Sequence, residues 1–181
     1  MTKKITLILA GIFLLIIVLG FTLPSNYEIT RSVTIDSPVD EVHAYLNNIE
    51  QWPRWAPWHN TENEVSIRSG KIKKGVGATQ TWSGEGGLGS LEITRSSLQS
   101  GIEYVLHFGK EEQDTIGYFK YQPNGKQTVV TWTMTGEMTM PIIGPYAVLI
   151  MDSMAGPTLL TGLNNLKTAV EWKPEKKVMA E

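Results

Sequence analysis

The sequence contains no cysteine. That excludes disulfides, thiolate nucleophiles, zinc–thiolate centres and a lipidated N-terminal cysteine. A large excess of either charge is missing too. Sixteen Lys and Arg against 18 Asp and Glu leave a net charge of −2, with no basic footprint for nucleic acid. Histidine is scarce, and His43, His59 and His107 have no metal-ligand spacing. No Ser–His–Asp order and no paired carboxylates stand out, and there is no internal repeat or low-complexity linker. What remains, 181 residues of which 41% are hydrophobic, suits one globular domain plus an appendage.

Charge is wholly absent from residues 5–23, ITLILAGIFLLIIVLGFTL, which follow Lys3 and Lys4. As a helix this run is about 28 Å long at 1.5 Å per residue, close to a hydrocarbon core of about 30 Å. Backbone groups in lipid must pair within the segment, so a helix is the expected form. The lysines keep the N-terminus cytoplasmic and send the rest outward. The run exceeds the roughly 7–15 apolar residues of a signal peptide, and it exits through Leu23-Pro24-Ser25 with no A-x-A pattern. An uncleaved single-pass anchor over residues 1–25 is expected, with the lipid bilayer as its partner. The remainder carries 14 basic against 18 acidic residues, a net −4, and has no electrostatic reason to lie on anionic lipid.

Tyr27 to Ile35, YEITRSVTI, alternates as a half-buried strand in which Arg31 breaks the apolar set. Ser37 as N-cap, Pro38 at the first helical position and Asp40 three beyond the cap open a helix whose face holds Val42, Leu46 and Ile49. Pro53 and Pro57 then break the chain in EQWPRWAPWHN, where Trp52, Trp55 and Trp58 recur every three residues. Trp52 and Trp55 are expected to lock the helix exit onto a sheet, with Trp58 nearer a cavity mouth. From residue 63 to 138 short strands follow one another, with Asn124-Gly125 as the clearest hairpin signal. Ile102, Tyr104, Leu106 and Phe108 share one face; Val130, Trp132, Met134 and Met138 share another. The closing segment places Leu159, Leu163, Leu166 and Val170 at helical spacing, with Gly156-Pro157 expected to kink or interrupt it. The predicted layout is α+β: a strand, a helix, about six antiparallel strands and a long helix covering the sheet.

In this order the chain resembles the START-like, polyketide-cyclase-like (SRPBCC) superfamily over roughly residues 27–173. The resemblance rests on ITRSVTIDSPVDEVHAYLNNIEQWPRWAPW and on the closing MDSMAGPTLLTGLNNLKTAVE. It implies the helix-grip fold, a curved antiparallel sheet around the C-terminal helix, over residues 26–173, with 174–181 as a polar tail. The family includes lipid carriers, cyclases and hormone receptors, so the fold does not name a chemistry.

The candidate ligand-binding residues are Trp58, Trp82, Tyr104, Leu106, Phe108, Trp132, Met134, Met138, Met151 and Met154, aromatic and methionine side chains suited to a varied apolar ligand. Met140 joins the methionine cluster at the helix entry. His59, Asp152 and Glu85 are the candidate acid–base groups; a cavity-facing Asp152 would have a raised pKa. His43 and His107 are expected at the surface. GEGGLG, Gly84 to Gly89, matches G-x-G-x-x-G, but strands on both sides make it a hairpin loop rather than a dinucleotide site. No cofactor or metal is expected. The expected function is binding of a hydrophobic small molecule or lipid between sheet and helix. The alternatives are a cyclase- or hydrolase-type enzyme, and a ligand-free interaction or stress-response domain.

Overall fold

A computed structural model describes residues 2–59, 66–84, 87–109 and 113–172. Helix α1 (Thr2–Thr22) precedes strand β1 (Asn26–Ile35), helix α2 (Val39–Leu46) and two 3-10 turns, Ile49–Arg54 and Pro57–His59. Strands β2 (Ser66–Ser69), β3 (Thr79–Gly84), β4 (Gly87–Ser97), β5 (Gly101–Phe108), β6 (Gln113–Asn124) and β7 (Gln127–Glu137) lead to helix α3 (Ile143–Glu171). The strands form one antiparallel sheet in the order β1-β7-β6-β5-β4-β3-β2. Pairing β1 with β7 joins the chain's early and late parts, with Tyr27 opposite Gly136 and Ile35 opposite Thr128. The expected β6–β7 hairpin forms, but its two-residue turn is Gly125-Lys126, with Asn124 paired to Gln127 and Gly125 at φ 62°.

Alternation puts Ile29, Leu91, Ile93, Ile102, Tyr104, Phe119, Val130 and Trp132 on the covered face, all at or below 1% exposure. Leu159, Leu163, Leu166 and Val170 of α3 close over it. The 3-10 turns supply the rest of the cover. The Trp52 indole donates to the carbonyl of Leu46 at 3.0 Å, closing the C-terminal end of α2, and Trp55 lies against Phe119 and Trp132. Pro53 and Pro57 lie within the two 3-10 turns, well past the end of α2 at Leu46, and these short turns bring Trp52 and Trp55 inward together.

Two local expectations change. Ser37 does not cap α2 through a backbone amide; its hydroxyl bonds the Glu41 carboxylate, and Pro38 occupies the cap position. Pro157 does not interrupt α3, which runs 29 residues through it. The missing N–H costs one intrahelical bond, and the buried stripe on both sides of the proline holds the helix together. Ile142, just before α3, has φ 65°. A β-branched residue there is strained by about 1–3 kcal/mol, and its neighbours must hold it.

Candidate functional site

The covered face is filled at the end near α2 and looser at the other end. At the filled end Phe119 stacks on Trp132 at 4.9 Å, Trp52 stands on Tyr104 at 5.5 Å, and Trp55 meets Trp132 at 5.8 Å. The Trp132 indole donates to the Tyr104 hydroxyl at 2.9 Å, and burial pushes the Tyr104 pKa up. Three aromatic rings of this face lie over glycines: Trp82 over Gly89, Tyr104 over Gly117 and Tyr27 over Gly136. Each ring occupies the space a Cβ would take, so it lies flat on the sheet.

The candidate ligand residues divide along this gradient. Tyr104 and Trp132 are wholly buried and Leu106 nearly so, forming a floor. Trp58, Trp82, Met134 and Met151 are half-buried against the core. Phe108 is 48% exposed, with its ring 5.8 Å from Trp82. Met138 is half-buried where β7 ends. Met140 and Met154 are exposed. Met154 sits on the side of α3 away from Leu159, Leu163 and Leu166, so it does not join the interior.

Of the acid–base candidates, only Asp152 has a described side chain. Glu85 and the His59 side chain lie outside the described residues. Asp152 accepts two hydrogen bonds from the Arg31 guanidinium, at 2.8 and 3.0 Å. Those bonds, more than charge alone, hold its carboxyl below the ordinary range rather than above it. Arg31, the residue that breaks the β1 apolar pattern, is thereby explained. Its guanidinium lies on Gly156, where a Cβ would come within 1.9 Å of Nη2. His43 is half-buried rather than at the surface, because it faces the Tyr121 hydroxyl at 3.2 Å; burial lowers its pKa. His107 points to the outer face and pairs with Asp114 at 2.5 Å. GEGGLG joins β3 to β4, so no helix terminus follows it to take a pyrophosphate. Among the described residues no group of three or more His, Cys, Asp or Glu is placed to hold a metal ion.

Glu171 is likewise held below the ordinary carboxylate range, chiefly by the Asp36 backbone amide and then by Lys167. Asp152 and Glu171 bind protons more weakly folded than unfolded, so their stabilisation is present above the unfolded values of 3.8 and 4.5 and is lost as pH falls through the lower folded ones. Asp152→Asn with Glu171→Gln is expected to flatten the acid limb of stability below about pH 4. Urea midpoints measured down that limb check this; an unchanged slope contradicts it.

One polar group was not foreseeable from the sequence. The Trp55 indole N–H is wholly buried and has no hydrogen-bond acceptor among the described residues. The Trp55 ring as a whole packs against those of Trp52, Trp58, Phe119 and Trp132, at centroid distances of 4.9, 6.3, 5.7 and 5.8 Å. Of these only Trp58 is part-exposed. Trp spacing alone predicts burial, but not which indole lacks a partner.

An antiparallel seven-stranded sheet with a long C-terminal helix packed on its aromatic face defines a helix-grip α+β domain. The chain belongs to the polyketide cyclase / dehydrase and lipid transport family, whose profile matches residues 27–171. Solved structures agree on the fold. The Zhui aromatase/cyclase from Streptomyces sp. R1128 superposes with a TM-score of 0.59 at 14% identity, covering 81% of this chain and 94% of that one. Protein TTHA0849 from Thermus thermophilus gives 0.58 at 20% identity, covering 79% and 96%. Protein CV1439 from Chromobacterium violaceum gives 0.59 at 14%, covering 81% and 98%. Curated proteins give no match. At these identities the likeness concerns the fold alone. Helix α1 lies outside the matched region; it is apolar, and its composition fits both membrane anchors and signal sequences.

Proposed function

We propose that this protein is a membrane-tethered module that binds an apolar small molecule or lipid carrying one hydrogen-bond acceptor, between the sheet and α3. The observation that carries the reading is the buried Trp55 indole N–H, which has no acceptor among the described residues. A buried donor without a partner costs about 1–3 kcal/mol, and a ligand carbonyl or hydroxyl would satisfy it. The part-exposed Trp58 ring lies 6.3 Å from the Trp55 ring. Met134 and Met151, flexible and half-buried, lie against the core where it is looser. Room for a ligand there comes from side chains that can move, while Tyr104 and Trp132 stay paired as a floor. Trp82 and Phe108 extend the apolar surface toward solvent.

The tether is α1, whose side chains are exposed along its length, including Leu7 at 72% and Phe21 at 70%. A helix with that surface is suited to lipid, and Lys3 and Lys4 favour a cytoplasmic N-terminus with residues 26–173 outside. Tethering keeps the module beside the phase in which its ligands dissolve.

Trp55→Phe keeps an aromatic ring and removes the N–H. With the full chain in lipid nanodiscs, displacement of a fluorescent fatty acid is expected to show saturable binding that weakens about tenfold in Trp55→Phe, the equivalent of 1.4 kcal/mol. Equal affinity in the two proteins, or no saturable binding in either, contradicts the reading. A ligand-free interaction domain is favoured by one observation, the complete filling of the core around Trp132, and it predicts the latter result.

A further inference from the structure

We propose that the first half of α3 lies on the membrane surface, so that the domain is held by two contacts: α1 through the bilayer, and the outer face of Ile143–Met154 on it. This rests on reading α1 as a membrane span. Ile143, Ile150 and Met154 are 66%, 53% and 66% exposed. Steps of seven and four residues put them on one side of the helix, with Ala147 between them. Leu159, Leu163 and Leu166 lie on the opposite side and face the core. The helix is thus apolar on both sides, and no charged residue occurs from Met138 to Met151. Single exposed apolar residues are ordinary on a soluble domain; a continuous row opposite the core marks a surface that meets something apolar.

What it meets is set by α1. Only Leu23-Pro24-Ser25 separates α1 from β1, and the link is tied at both ends. The Leu23 N–H donates to Leu19 at 3.0 Å, and the Met138 N–H donates to Ser25 at 2.9 Å. Three residues reach about 10 Å at most, so the domain cannot leave the end of the helix. The two helices also touch side by side. Gly20 packs against Ile142, and the Tyr146 hydroxyl donates to the Ile16 carbonyl at 2.6 Å. Ile16 lies about 9 Å along the axis from the end of α1 at Thr22. With residues 5–23 in the hydrocarbon, Tyr146 reaches below its outer boundary, a depth that suits a ring with one polar tip. The first turns of α3 cannot then stand clear of lipid. The strained Ile142 sits at this helix contact, as expected of a fixed junction rather than a loose tether. A domain of net negative charge gains nothing from anionic headgroups, so the docking rests on apolar burial and needs only zwitterionic lipid.

Because the chain has no cysteine, single cysteines can be introduced and labelled without further change. The full chain, reconstituted in phosphatidylcholine vesicles, would carry an environment-sensitive fluorophore at Leu14→Cys, Ile150→Cys, Met154→Cys or Lys120→Cys in turn. Lipids with deep nitroxides are expected to remove most emission at position 14. Shallow nitroxides should do so at 150 and 154, and only aqueous iodide at 120. Quenching at 14 by lipid but at 150 and 154 by iodide overturns the docking and leaves the span intact. Iodide quenching at 14 overturns both. Shielding of 150 and 154 from lipid and iodide alike means that a second copy or another protein covers the row, and this too overturns the docking.

Discussion

Trp132→Ala is expected to lower the stability of the domain by about 3–5 kcal/mol, the range for truncating a large buried aromatic. Trp132 is wholly buried, stacks on Phe119, meets Trp55 and Trp58 edge-on, and donates the indole hydrogen bond that Tyr104 accepts. Its removal opens a cavity between β7 and the 3-10 turns and leaves the Tyr104 hydroxyl without its donor. The surrounding rings are held by one another, so the site collapses poorly, which is the condition for a large cost. Urea unfolding of the full chain in detergent, followed by far-UV circular dichroism, checks this. Trp82→Ala, at the half-buried end of the same face, is expected to cost much less. Equal costs at the two positions would contradict the gradient from a filled end to a looser one.

Gly117→Val should destabilise through overpacking by about 1–3 kcal/mol or more. An added Cβ at Gly117 would lie 2.0 Å from the Tyr104 ring. That ring cannot lift, because Trp52 stands on its other side at 5.5 Å and Trp132 holds its hydroxyl. The distinguishing feature is coupling. In a Tyr104→Ala background the same Gly117→Val change fills space that the ring vacated, so its cost should shrink or reverse sign. Strict additivity of the two changes, measured by the same unfolding transitions, would contradict a ring that lies flat on the glycine.

Much of the fold is legible because it is written in short-range pattern. Period-two alternation marks Ile102 to Phe108 and Val130 to Met138, Asn124-Gly125 marks a turn, and Leu159, Leu163, Leu166 and Val170 mark the covering helix. Strand β2 escapes such a reading, being four residues long and at the sheet edge. The site is less legible because its decisive contacts are long-range. Arg31 and Asp152 are 121 residues apart, and only the fold makes one the answer to the other. His43 is drawn inward by Tyr121, 78 residues away. Met154 and Met151 look alike in sequence, yet helical rotation turns one outward and the other toward the core. Trp55, which has no acceptor among the described residues, packs against rings from β6, β7 and the 3-10 turns, a meeting that only the fold brings about.

Crosslinking with a photoactivatable fatty acid tests the proposed binding most directly. Applied to the full chain in nanodiscs and mapped by peptide mass spectrometry, it separates a ligand held inside the domain from lipid touching its outside. Adducts on Trp58, Met134 and Met151, competed away by unlabelled fatty acid, are the predicted result. Adducts confined to α1 and the outer row of α3, with none between the sheet and the helix, would contradict it.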